Sequence, residues 1–382
     1  MRLRRQFIVP AAALLGLVAA PAVSAAAPSS PGGPGMYVVV LKAGVEPGHV
    51  ADEHARGIGA EIRSVYRSAL RGYAARIPEA RLSRLQADPR VAYVEPDATV
   101  HATAQTLPWG INRVDADVSS TLAGNGSGAV GTVSAYVIDS GVSAHADLNL
   151  VGHVNWTGDG RNYDCSGHGT HVAGTVAARD NASHVVGAAP GVAVTGLKVL
   201  GCDGSGSMSN VIAAVDWVTT YAKRPAVVNM SLSGGGSRAV DDAVRNSASR
   251  GVLYVLAAGN SGANACNYSP ARAGAGTSNG IVTVAAIDSS NREPSWSNYG
   301  SCVDIWAPGV SVLSTYNNGG TAYMSGTSMA SPHVAGAAGL YLSRNTTVSP
   351  AAVEGVLKAN VLSPGTVSRD RRAIKVVYQG RY

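Results

Sequence analysis

Val133-Ser134-Ala135-Tyr136-Val137-Ile138-Asp139-Ser140-Gly141 decides the fold. The run is apolar almost throughout and stops at an acidic residue. A strand with one wet face would alternate apolar and polar residues, so this run reads as a strand buried on both faces. Similar runs recur at Val192–Val199, Val227–Met230, Val252–Ala257, Ile281–Ala286 and Val303–Trp306. Between and after them, His171–Ala178, Met208–Ala222, Arg238–Arg250 and Ser331–Ser343 read as helices. Buried strands alternating with helices specify an α/β domain with a mostly parallel sheet and helices on both faces. Ligands of such sheets collect at the carboxyl ends of strands. Asp139 and Asn260 fall at such ends.

Upstream, residues 36–97 read as a separate small α+β unit. Tyr37–Leu41, Ile62–Leu70, Tyr73–Ile77 and Val91–Val94 read as strands, and Pro47–Arg56 and Pro78–Ala87 as helices. The order β-α-β-β-α-β is the ferredoxin-like split βαβ pattern. Glu95–Thr106 is small and polar, as a linker would be. Downstream, Ser349–Ala359 reads as a helix and Ile374–Tyr378 as strand-like, but the sequence leaves the place of residues 346–382 undecided.

The N-terminus carries an address. Met1–Arg5 is basic, Phe7–Ala20 is apolar, and Ala22-Val23-Ser24-Ala25 offers small residues for a cut. This is the pattern of a secretory signal peptide, here residues 1–26, and the apolar run is too short to span a bilayer. The domains expected are therefore a signal peptide (1–26), a pro-segment (27–101) and a main domain (102–382). No later apolar run is long enough for a membrane anchor. The 46 Gly and 18 Pro fit a tight-turned globular chain, and the net charge of +6 is concentrated in the part before residue 102. That basicity is no nucleic-acid signal, because its carrier is predicted to be removed. In an exported chain four cysteines, Cys165, Cys202, Cys266 and Cys302, suggest two disulfides, with three pairings open. No C-x-x-C spacing points to zinc.

Three stretches carry candidate chemistry: Tyr136–Gly141, Ser166–Gly174 and Ser325–His333. They supply an acid, an imidazole and a hydroxyl. A serine nucleophile needs a base within hydrogen-bond reach, and the base needs an orienting carboxylate. Taken singly, Asp139 is a turn residue, His168 or His171 a packed histidine, and Ser328 a helix cap. Together, in the order Asp…His…Ser, they point to catalysis. Two other motifs fail their context. Gly276-Thr277-Ser278-Asn279-Gly280 has a loop before it and a strand after it, the reverse of an esterase elbow. Gly126-x-Gly128-x-x-Gly131 precedes a strand and opens no helix, so it is no dinucleotide loop. A catalytically dead binding module is disfavoured because every catalytic position holds a competent residue type.

On Val137–Gly141, His168–Gly174, Gly326–Ala330, Ala257–Asn260 and Asn298–Ser301, the chain resembles subtilisin-type serine proteases. The nearest likeness is to the secreted proteinase K and aqualysin branch, and residues 36–97 resemble that family's inhibitory propeptide. The resemblance implies a secreted, broadly specific endopeptidase, a monomer that acts on protein and peptide substrates through an acyl-enzyme. Its propeptide would serve as chaperone and inhibitor, and it would end near His101-Ala102. No cofactor is implied for the chemistry. Asp139 would orient, His168 act as base and acid, Ser328 attack, and Asn260 donate to the oxyanion. Gly204-Ser205-Gly206 and Ser231-Leu232-Ser233 would flank an extended peptide, with Ala257-Ala258-Gly259 lining the first pocket. Ser233 departs from the usual glycine. The branch pairs Cys165 with Cys202 and Cys266 with Cys302. It also implies a structural calcium on Asp304 and the carbonyls of Asn279 and Ile281, although Gly274–Gly280 departs from the family's pattern.

Overall fold

The computed structural model describes residues 35–97, 105–276 and 278–382. The predicted signal peptide and the predicted cut after residue 101 lie outside them. The chain divides into two compact units, one up to His101 and one from Ala102.

The first unit contains β1 (Gly35–Leu41), α1 (Pro47–Ile58), β2 (Glu61–Tyr66), β3 (Gly72–Ile77), α2 (Leu82–Gln86) and β4 (Val91–Pro96). Its antiparallel sheet has the order β2-β3-β1-β4. The Glu46 carboxylate accepts the His49 N–H, Pro47 opens α1, and Gly59 closes it at φ +71. These are the start and stop devices expected of a helix. The apolar sides of both helices and the sheet meet in a core around Val39, Val50, Tyr73, Ile77 and Leu85. The helix expected from Pro78 to Ala87 is divided, with a 3₁₀ turn at Glu79–Arg81 before α2.

The second unit is built on a nine-stranded sheet. Its main elements are β5 (Ser134–Asp139), β6 (Asn149–Asn155), α3 (His168–Ala177), β7 (Ala193–Lys198), α4 (Met208–Tyr221), β8 (Ala226–Met230), α5 (Arg238–Ser249), β9 (Leu253–Ala257), β10 (Ile281–Ile287), β11 (Ile305–Pro308), α6 (Thr327–Arg344), α7 (Pro350–Ala359), β12 (Val361–Leu362) and β13 (Val376–Val377). The strand order is β12-β13-β11-β10-β9-β8-β5-β7-β6. All pairs are parallel except β12 with β13. Side chains alternate across a strand, so β5 feeds two cores. Val137 packs in one core with Val172 of α3 and Val334 of α6. Tyr136 and Ile138 pack in the other with Val215 of α4 and Val244 of α5.

Several boundaries differ from the sequence reading for physical reasons. α3 starts at His168 rather than His171, because the buried Asp164 carboxylate accepts the Ser166, Gly167 and Thr170 N–H groups. α6 starts at Thr327 rather than Ser331 and contains Pro332. Proline has no N–H to take the carbonyl one turn back; the Ser231 hydroxyl takes the Ser328 carbonyl instead, at 2.7 Å. The edge strand β6 was not anticipated, since it is half-exposed and lacks a continuous apolar run.

Disulfides join Cys165 to Cys202 and Cys266 to Cys302, with sequence separations of 37 and 36. In the chain-entropy account each contributes about 3–4 kcal/mol. Residues 346–382 have a place after all: α7 packs beneath the sheet, and β13 pairs with β11. Arg369 donates to the Gly262 carbonyl and Arg372 to the Val303 carbonyl, and their guanidinium groups lie over Tyr299 and Trp306. Among the described residues no helix is long and apolar enough to cross a membrane.

Candidate active site

Asp139 ends β5 and is fully buried. Its Oδ1 accepts the Ser140 N–H at 2.7 Å and lies 2.7 Å from His168 Nδ1. The contact is possible because residue 169 is glycine. A Cβ there would sit 2.0 Å from the Gly141 carbonyl oxygen and 3.1 Å from Asp139 Oδ1. Ser140 Oγ ties the pair to the α3 cap, accepting the Gly169 N–H and donating to Asp164. Burial pulls the His168 pKa down, but the Asp139 charge and hydrogen bond outweigh it and hold the imidazole above its ordinary 6.5. His171, one turn on, faces away. Its Nε2 lies 3.0 Å from the Val312 and Ala322 carbonyls, and burial pushes its pKa down to about 4.

Ser328 sits in the first turn of α6. Its Oγ donates to the Ser231 carbonyl at 3.0 Å. Asn229 holds the surrounding hydroxyls, donating to Ser231 Oγ and accepting from Ser331 Oγ. Asn260 follows β9. Its Oδ1 accepts both the Thr327 N–H and the Thr327 hydroxyl, at 2.9 and 2.8 Å, which turns Nδ2 toward the cleft. A Cβ added to Gly326 would lie 3.3 Å from Asn260 Nδ2 and 3.6 Å from the Ser328 nitrogen. The two donors therefore border a common space that a side chain at 326 would fill. Such a pair can stabilise an oxyanion.

His168, Ser328 and Asn260 open on a cleft of about 720 Å³. Gly204, Ser205, Gly206, Ser231, Leu232, Ser233, Ala257 and Gly259 line it. Ala258 does not: it is buried behind the cleft with Ala265 and Ala285. Ser233 Oγ would meet a Cβ at Gly259 at 2.9 Å, so the hydroxyl stands at the pocket wall. Leu200, Met208, Val211 and Tyr268 add an apolar lining that the sequence reading missed.

Three supporting residues were given no role by the sequence reading, which quoted Asn298 only as part of a motif. Lys198 ends β7 fully buried and donates to the Ser140 and Leu200 carbonyls at 3.0 and 2.8 Å. Asp164 caps α3. Asn298, fully buried, accepts the Ser261 and Ala263 N–H groups and donates to the Ala258 carbonyl, holding the loop that carries Asn260. Only a buried-strand lysine and a polar residue before a helix hinted at the first two.

The expected calcium set does not fit the ion. Calcium takes six to eight oxygens. Asp304 is the one charged member of the set, and Lys358 Nζ lies 2.7 Å from its Oδ1, while the Thr283 N–H occupies Oδ2 at 2.9 Å. An ammonium at that distance stands where the cation would bind. Asn279 and Gly280 direct their N–H groups at Glu354.

Comparison with known proteins gives the same reading. Residues 131–373 match the Subtilase family and residues 36–103 match Peptidase inhibitor I9. The chain is 42% identical over 387 residues to an extracellular serine proteinase of Thermus sp. (strain Rt41A), covering 91% of this chain and 87% of the relative. It is 42% identical over 338 residues to alkaline serine exoprotease A of Vibrio alginolyticus, covering 83% of this chain and 60% of that longer relative. The crystal structure of a cold adapted subtilisin-like serine proteinase superposes with a TM-score of 0.59 at 39% identity, over 71% of this chain and 97% of that one. This chain belongs to the subtilase family of serine peptidases.

Proposed function

We propose that the chain is the precursor of a secreted endopeptidase of broad specificity that processes itself. The carrying observation is the pair of buried Asp139 and partly exposed His168, which opens on the same cleft as Ser328 and the donors of Asn260 and Ser328. Ser328 Oγ turns from the Ser231 carbonyl toward His168 Nε2 and attacks the scissile carbonyl as His168 takes its proton. Asp139 keeps the imidazole in the tautomer with Nδ1–H and stabilises the imidazolium. Asn260 Nδ2 and the Ser328 N–H hold the negative oxygen. His168 then protonates the leaving amine, and an activated water releases the acyl group.

Substrate is held through main-chain bonding along Gly204–Gly206 and Ser231–Ser233. Strand addition gives affinity with little demand on side chains. The inhibitor-like unit is the chain's own propeptide, removed by a cut near His101-Ala102. A serine hydroxyl and an imidazole suffice for this chemistry without an organic cofactor.

The test is intact-mass and N-terminal analysis of secreted wild type beside Ser328→Ala, with casein hydrolysis on both. An active wild type starting near Ala102 and an inactive, uncut variant support the reading. Equal processing and equal hydrolysis overturn the assignment of Ser328. Processing of both with no hydrolysis by either moves the protein to a binding module.

A further inference from the structure

Helix α7 places Glu354 and Lys358 one turn apart on the same face. The Glu354 side chain is fully buried, and its carboxylate accepts three consecutive N–H groups, from Ser278, Asn279 and Gly280, at 3.1, 2.7 and 2.8 Å. Ser278 at φ +57 and Gly280 at φ +79 curl the loop so that these amides converge. Concave runs of backbone N–H groups of this kind bind anions. Lys358 Nζ lies 3.1 Å from Glu354 Oε1 and 2.7 Å from Asp304 Oδ1. Asp304 Oδ2 reaches back to the Thr283 N–H of β10. One ammonium thus joins α7, the start of β11, β10 and the loop before it.

A divalent metal would tie the same parts together by bridging carboxylates. We propose that Lys358 is the built-in cation of this site, so that the loop and strand at residues 278–283 are held by the chain itself and not by calcium. Both carboxylates are removed from water, and a buried carboxylate needs a positive partner close by. Lysine supplies it covalently, from a helix already packed on β9 and β10. The Asp304 carboxylate that calcium would need is therefore already taken by the ammonium. This inference goes beyond the proteolytic reading and does not depend on it.

Hydrogen exchange on the full chain, blocked with a sulfonyl fluoride against self-digestion, tests it at the site. In wild type, the amides of Ser278, Asn279, Gly280 and Thr283 should exchange at the same rate in calcium and in chelator. In Lys358→Met they should exchange about tenfold faster in chelator, and added calcium should slow them again. Lys358→Arg should keep the wild-type rates. Wild-type amides that lose protection on chelation would overturn the proposal, as would Lys358→Met amides as protected as wild type in chelator. If Lys358→Met does not fold, the wild-type comparison decides alone.

Discussion

Asn260 is the exposed one of the four candidate catalytic residues, and its proposed role rests on which end of its amide faces the cleft. Thr327 claims Oδ1 twice, so Nδ2 is left for substrate. Asn260→Ala should lower kcat while leaving KM nearly unchanged, because the bond forms only to the developing oxyanion. In subtilisin the loss of the corresponding donor costs about 10²–10³ in turnover, and that borrowed magnitude is the one expected. Steady-state kinetics on a peptide substrate would show it; a fall carried by KM would make Asn260 a binding residue instead. In the proposed mechanism His168 sets the acid limb of activity. A general base must be neutral, and the Asp139 charge holds this imidazole above 6.5. The fall in kcat/KM on acidification should therefore be centred above pH 6.5, and a midpoint below that value would contradict the pairing. The candidate catalytic residues were legible because each sits in a short motif. Lys198 and Asp164 were not, because a lone lysine or aspartate looks the same whether it is solvated or buried against a distant loop; Asn298 was quoted within a motif, but nothing local gave its role of holding the Asn260 loop.

At the scale of elements, the two helix starts matter most. His168 opens α3 and Ser328 stands in the first turn of α6, and both ends need donors and acceptors met from outside the helix. Asp164 meets five donors at once: three backbone N–H groups and the hydroxyls of Ser140 and Thr170. Asp164→Ala should cost about 3 kcal/mol or more, since several buried donors lose their acceptor together. It should also lower kcat well below the melting temperature, because Ser140 and Gly169 flank the Asp139–His168 bond. Thermal unfolding and kinetics on one preparation would test this; a stable variant of full activity would show that the cap is idle. The sequence placed the bodies of these helices correctly and their beginnings three or four residues late. Periodicity sees the apolar face of a helix, whereas these first turns are satisfied by residues elsewhere in the chain.

At the scale of the molecule, α3 and α6 pack side by side over the sheet and bury two histidines between neutral partners. Burial pushes His171 and His333 each down to about 4, although backbone carbonyls partly offset it. The unfolded chain binds these protons near pH 6.5 and the folded one only near 4, so stability drains away as pH falls across that window. Asp304 acts in the opposite sense, since burial raises it to about 6 despite Lys358. The readout is therefore a difference between variants. The drop in melting temperature from pH 7 to pH 5 should be smaller in His333→Gln than in wild type, and an equal drop would remove His333 from the acid response. The sequence alone determined the α/β class, the two-unit plan, the strand cores and the candidate nucleophile, base, acid and oxyanion donor. These are written in local runs and short motifs, whose physical cause is periodic burial and backbone approach. The cysteine pairing that the family resemblance implied is the one the structure shows; only the tertiary structure decided what residues 346–382 pack against, and that an ammonium stands where calcium was expected. Lys358 and Asp304 are 54 residues apart, and no local pattern encodes a contact that exists only once α7 has docked on the sheet.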